Sequence, residues 1–432
     1  MPLWMPKLET QLYRFLARLA AGRLAKGAPI LSVYARRSVA CGEVVFGHSD
    51  IDLHLLVEPF TSIDQEAQVL RDLAIRHAQL KRLLPCVGDC NVSTRAELAS
   101  WYRERPYTWY RDRAWLKLYG EDWNRPEVNL RDEAVRDSLL WWFFWAWERL
   151  PRFFRAGNVR ICGNLFLDMV NVYGLYTGAL KTSTTRRAAL QYWRTFCPPS
   201  RELEAFVNGL ATGFRGWDRP PLRWLYRESL RLGDALAERV ARTLEGKGCA
   251  AEAQSNVPFD FSVRVYLLVD SEREEQTMQA LDAMQRKAHV FVTTEKTLKL
   301  YLYHRNPWEY YALRANHSQF PLCLPPTETL HQSVRYALHK EVPRSAGFSI
   351  GRRVNRGVTV GFQYAQYRLY AEHGRVATSA AELRRQYQHH YGVWPYVDVS
   401  SRDDFFLRNY PVTCEIIEDL QKRVLSREAS WP

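Results

Sequence analysis

Two aspartates spaced two residues apart, Asp50 and Asp52 in Ser49-Asp50-Ile51-Asp52-Leu53, open a stretch in which apolar and polar residues alternate. Side chains two apart on an extended strand share a face, so both carboxylates project from the same side. Side by side they repel each other and call for a cation. Hard oxygen ligands suit Mg²⁺, with Mn²⁺ as its substitute, and such an ion also takes up phosphate oxygens. A third carboxylate, Asp89 in Val87-Gly88-Asp89-Cys90-Asn91-Val92, is the candidate to complete the set. In a two-ion arrangement Asp50 and Asp52 bridge both ions. Asp89 then holds the ion that activates an incoming hydroxyl, and takes its proton. The same Asp-x-Asp pattern also occurs in plain surface turns. Here it follows a loop of small residues, Ser38 to Ser49, and precedes an apolar strand.

The elements that must position these residues are readable from periodicity. Leu8, Leu12, Phe15, Leu16, Leu19 and Leu24 recur at helical spacing between Lys7 and Lys26, and Gly27-Ala28-Pro29 ends that helix. Ile30 to Tyr34 reads as a short buried strand, and Ile51 to Val57 as a second. A helix from about Ile63 to Leu84 is broken by Pro85, and Cys86 to Ser93 is a third strand. Arg111 to Tyr119 is helical or extended, and Asn124-Arg125-Pro126 reads as a linker.

Beyond it, Val128 to Lys247 has long helical periodicity. Its run Leu139 to Trp147 is apolar on all sides, which predicts core packing rather than an aromatic platform for bases. Gly246 to Val257 is a marked composition shift. A second α/β unit follows, with strands at Val263–Asp270, His289–Thr293 and Leu298–Tyr303, a helix at Glu272–Lys287, and closing helices near Ser379–His389 and Asp403–Arg427. Asp270 reads as the cap of the next helix, His389-His390 as a surface pair, and Gly351 to Gly357 as a basic loop. The expected fold is therefore α/β: a small mixed sheet with helices (1–126), an α-helical domain (127–247) and a second α/β domain (258–432).

The spacing of Ser38-Val39-Ala40-Cys41-Gly42, a variable loop and Ser49-Asp50-Ile51-Asp52-Leu53 resembles the signature of the polymerase-β-type nucleotidyltransferase superfamily. In its small bacterial members a Gly-Ser pair ends the first strand, a Gly follows four residues after the Ser, and Ser-Asp-x-Asp opens the second. The distance from Asp52 to Asp89 is similar to that in aminoglycoside adenylyltransferases, and Leu118-Tyr119-Gly120-Glu121 is similar to the segment that closes their catalytic domain. The resemblance covers the first third of the chain, extends loosely into the helical middle, and stops there. It implies that Ser38 hydrogen-bonds the phosphates of a nucleoside triphosphate, with Arg37, Gly42 and Ser49 beside it. It also implies that Asp50, Asp52 and Asp89 hold two Mg²⁺ ions, and that a substrate hydroxyl attacks the α-phosphorus and releases pyrophosphate. One departure is plain: Arg37, preceded by Arg36, stands where the family has Gly. Gly lets the backbone approach phosphate closely, whereas Arg donates to phosphate oxygens through its side chain or obstructs the nucleotide.

A net charge of +13 favours anionic partners, though the surplus is mostly Arg spread along the chain. The eight cysteines are scattered, with no zinc-site spacing around Cys86 and Cys90. There is no signal pattern and no apolar run of membrane-spanning length. These features predict a cytoplasmic protein with no membrane partner. The first functional expectation is a nucleotidyltransferase acting on a small molecule, an RNA end or a protein side chain, with a protein partner for the C-terminal domain. The second, supported by Arg37, is a catalytically degenerate relative that serves as a nucleotide- or nucleic-acid-binding module.

Overall fold

The computed structural model describes residues 5–47, 49–104, 115–123, 133–180, 186–196, 200–212, 219–244, 265–286, 290–304, 334, 354–397 and 402–424. The chain is mixed α/β and mostly helical, and it divides into two compact units. One comprises Met1–Leu130 with Val334–Pro432, the other Arg131–Ser333. Among the described residues no helix is long and apolar enough to cross a membrane.

The first unit is built on a four-stranded sheet: β1 (Ile30–Ala35), β2 (Ile51–Val57), β3 (Val87–Thr94) and β4 (Leu116–Gly120), in the order β3-β2-β1-β4. β2 runs parallel to β3 and antiparallel to β1, and β1 is antiparallel to β4. Alternation along β2 divides its side chains between two cores. Leu53, Leu55 and Val57 pack with Ala17, Ala20 and Leu24 of helix α1 (Met5–Ala25) and Leu70 and Leu73 of α3 (Ile63–Leu83). Leu56 packs on the opposite side with Tyr34, Leu98 and Tyr102, against Trp115 and Trp123. A five-residue helix, α2 (Arg37–Cys41), follows β1 directly. α3 starts at Ser62, whose hydroxyl accepts from the Gln65 amide, and carries Asp64 and Glu66 in its first turn, where the helix dipole favours them. α4 (Arg95–Glu104) follows β3. Arg111 and Asn124 to Pro126 lie outside the described residues, and β4 shows the extended form for the part of 111–119 that is described.

Three C-terminal helices complete this unit's described residues: α12 (Val354–His373), α13 (Ala380–Tyr391) and α14 (Arg402–Val424). Tyr410 and Cys414 of α14 belong to the core beneath the sheet, and the Tyr410 hydroxyl donates to the fully buried Glu66 carboxylate of α3. From Val354 onward the expected basic loop is helix, while Gly351 to Arg353 lie outside the described residues. His389 and His390 end α13, and the His390 ring stacks on His373 with centroids 4.0 Å apart.

The second unit holds α5 (Glu133–Arg155), α6 (Val159–Tyr176), α7 (Arg186–Phe196), α8 (Arg201–Thr212) and α9 (Arg219–Leu244). With them stand β5 (Val265–Leu268), α10 (Glu274–Arg286), β6 (Val290–Thr293) and α11 (Glu295–His304). The aromatic run Leu139–Trp147 is core: Phe143 and Phe144 are fully buried, and only Trp145 of that run is half-exposed. β5 and β6 pair in parallel, and β6 is bonded to the helices through main-chain carbonyls. The Tyr226 hydroxyl donates to Val292 at 3.0 Å and the Arg155 guanidinium to Val290 at 3.0 Å. This explains why residues 265–304 pack with the helical middle, whereas α12 to α14 belong with the first sheet; the composition shift at 246–257 lies outside the described residues.

The strand expected at Leu298–Tyr303 is a helix. Leu298, Leu300 and Leu302 alternate in sequence and are all buried, but the most deeply buried residues, Thr297, Leu298, Tyr301 and Leu302, recur at helical spacing. The Thr294 hydroxyl accepts from the Thr297 amide and starts the turn. Asp270 closes a local turn ahead of α10, its carboxylate accepting from the Glu272 amide at 3.0 Å.

The Tyr410–Glu66 bond joins segments 344 residues apart in the chain. Replacing Tyr410 with Phe removes a donor from a buried carboxylate and should cost roughly 1.5–3 kcal/mol. Urea unfolding followed by tryptophan fluorescence measures it; an unchanged midpoint would show that this contact contributes nothing to the packing of α14.

Candidate functional site

β1 and β2 deliver the site together. Their pairing sets Ala35 opposite Leu53, and the Arg36 amide then donates to the Asp52 carbonyl at 2.9 Å. The Arg36-Arg37-Ser38 segment is therefore fixed beside Asp52. On the other side β3 changes register. Ile51 pairs with Val87 but Leu53 with Cys90, so Asp52 alone stands opposite both Gly88 and Asp89. Such a bulge re-aims side chains and frees a main-chain group. The freed Asp89 amide donates to Asp52 Oδ1 at 3.1 Å.

Gly88 is what lets the acidic pair close on this bulge. A Cβ placed there would come within 2.7 Å of Asp50 Cβ and 2.7 Å of Asp52 Oδ1. Both aspartates thus approach the same side of the Gly88 backbone, as the Asp-x-Asp spacing predicts. Asp52 is buried, at 8% exposure, while Asp50 and Asp89 are exposed. The contact from Asp89 to the pair runs through its amide. Among the described residues no group of three His, Cys, Asp or Glu side chains converges as a metal cage. The part of the donor set suited to a divalent ion is the Asp50–Asp52 pair: Asp52 brings Oδ1 and Asp50 its Cβ against the Gly88 backbone, in a space that a Cβ at Gly88 would fill.

Arg37 completes the immediate surroundings. Its Nη1 lies 3.2 Å from Asp52 Oδ2, so both carboxylate oxygens of Asp52 are engaged. Its backbone has φ +53°, and among the described residues it is the one non-glycine residue with positive φ. A conformation that favours glycine is thus occupied by arginine at the very position where the resemblance expects glycine. α2 ends at Gly42, with φ +73° and its amide donating to the Ser38 carbonyl. Arg14 of α1 donates to the carbonyls of Val39 and Ala40. The Ser49 hydroxyl accepts from the Val45 amide at 2.8 Å, which closes the loop before Asp50. Ser38 is buried in the first turn of α2.

A further cluster sits along the same face of β2, two residues on. His54 Nε2 lies 2.6 Å from Ser93 Oγ, and the His54 ring packs on Trp115 at 4.6 Å between centroids. The buried Arg36 guanidinium lies 5.6 Å from the same indole, within cation–π range. Neither contact was anticipated from sequence, although His54 follows Asp52 by the strand period. Cys86, just before β3, has its thiol pKa raised by burial and further by the Asp50 charge, so it stays protonated. Arg111 and Arg113, which lie near the end of the expected catalytic unit, fall outside the described residues.

No protein-family profile, curated protein or solved structure matches this chain.

Gly88→Ala forces Asp50 or the β3 backbone to move, because one of its two clashes is with the Asp50 Cβ and not with the tip of a flexible side chain. It should destabilise the protein by roughly 1–3 kcal/mol, read as a lower urea midpoint. An alanine variant as stable as the parent would mean that the acidic pair does not press on Gly88.

Proposed function

We propose that the first unit is a metal-dependent nucleotidyltransferase that transfers a nucleoside monophosphate from a triphosphate to an acceptor hydroxyl and releases pyrophosphate. The observation that carries this reading is the closure of Asp50 and Asp52 on the Gly88 bulge, directly beside the Arg37–Gly42 turn. Two carboxylates crowded at the start of an inner strand, next to a cationic turn, match the needs of phosphoryl chemistry: divalent ions on one side and phosphate oxygens on the other.

In this reading Asp50 and Asp52 hold Mg²⁺, which when bound neutralises charge on the triphosphate and orders it. Ser38 and Arg37 bind phosphate oxygens, with Gly42 setting the turn and Ser49 fixing the loop that leads into Asp50. Asp89, one residue past Gly88 on the bulged strand, accepts the proton of the attacking hydroxyl. The acceptor class is a small molecule, an RNA end or a protein side chain, and the positive charge of the chain suits an anionic one.

A second reading has its own observation. Because Asp52 is paired with Arg37 and Asp89 reaches it only through the main chain, the same turn also suits a nucleotide- or nucleic-acid-binding module without turnover.

Pyrophosphate release measured with Mg²⁺, each nucleoside triphosphate and each acceptor class distinguishes them. Turnover is expected, and Asp50→Asn or Asp52→Asn should lower it by about a hundredfold or more. Nucleotide binding that survives both substitutions, without turnover on any acceptor, would establish the binding module instead.

A further inference from the structure

We propose that Arg37 is a resident counter-ion that competes with the divalent cation for Asp52, so that ion binding requires its guanidinium to leave. This rests on the reading of Asp50 and Asp52 as metal ligands, and adds a control step at that site.

Three observations carry it. The first is occupancy: Arg37 Nη1 lies 3.2 Å from Asp52 Oδ2, while Oδ1 is taken by the Asp89 amide. A divalent ion bonded to Oδ2 would sit within a few ångströms of a guanidinium that keeps its charge at any physiological pH. The two cations repel at that range, so one displaces the other.

The second is an asymmetry of exposure. The Asp52 side chain is 12% exposed and lies against Gly88, whereas the Arg37 side chain is 40% exposed. The arginine has solvent to move into and the aspartate does not. Displacement therefore moves Arg37 and leaves the carboxylate in place.

The third is the backbone. Arg37 keeps φ +53° although a Cβ makes that conformation costly, and glycine would adopt it freely. The left-handed turn at this position aims the following Ser38 into α2 and leaves the Arg37 side chain at Asp52. The turn thus holds a charged side chain against the carboxylate. That charge neutralises the carboxylate when no ion is present, which limits the repulsion between Asp50 and Asp52.

The test is Mn²⁺ binding to the full chain, followed by the loss of free-ion electron paramagnetic resonance signal, with no nucleotide and no turnover required. Arg37→Gln removes the charge and keeps the Cβ; Arg37→Gly removes both. Each should bind Mn²⁺ about tenfold or more tightly than the parent protein, and Arg37→Lys should remain near the parent. Adding Asp52→Asn to Arg37→Gln should abolish the gain. Circular dichroism melts confirm that each variant is folded, and agreement between Gln and Gly separates charge from relief of backbone strain. Equal or weaker Mn²⁺ binding by Arg37→Gln, with binding still dependent on Asp52, would overturn the competition while leaving the metal site standing. If neither the parent nor any Arg37 variant binds Mn²⁺, the metal-site reading itself fails, and the competition with it.

Discussion

Negative charge packed against a bare stretch of backbone is the constraint around which the first unit is organised. Asp50 and Asp52 approach one side of Gly88, and their mutual repulsion has to be offset locally. The bulge in β3 supplies an amide, β1 supplies the Arg36–Arg37 segment, and α1 steadies the turn that follows through Arg14. Removing the bulge would take away the Asp89 amide; adding a side chain at Gly88 would push the pair apart. The apolar face of the same strand anchors all of this, since Leu53, Leu55 and Val57 lock β2 against α1 and α3.

The polar face of β2 is structured along its whole length. Asp52 leads to His54, which meets Ser93 and Trp115, and Trp115 in turn lies against Arg36. Arg36 and Arg37 thus diverge from adjacent positions: one is buried against an indole, the other pairs with a carboxylate. The second unit rests on different physics, with aromatic helices packed on a two-stranded parallel sheet through main-chain carbonyls.

Much of the first unit could be read from its sequence because periodicity and breakers agree there. The alternation from Ile51 to Val57 marks β2 over its actual length, and Pro85 separates α3 from β3. The acidic pair was also legible, because a two-residue spacing places side chains on one face of any strand. Other features depend on distant partners. Leu298, Leu300 and Leu302 alternate like a strand, yet the Thr294 cap and the buried Tyr301 make the segment a helix. The packing of Tyr410 against Glu66 brings the last described helix onto the first sheet, and no local pattern encodes a contact across 344 residues. The register shift opposite Asp52 was equally hidden: Gly88 was visible as a glycine, but its role follows from which strand lies beside it.

In the proposed function Asp50 and Asp52 form a divalent-metal site at the Gly88 bulge. Crystals of the full chain soaked in Mn²⁺ with a non-hydrolysable nucleoside triphosphate, with diffraction recorded at the manganese edge, address it most directly. The expected result is an anomalous peak bonded to carboxylate oxygens of both aspartates, with the Arg37 guanidinium turned away from Asp52. Nucleotide density without an anomalous peak at the pair, and with Arg37 still on Asp52, would contradict it.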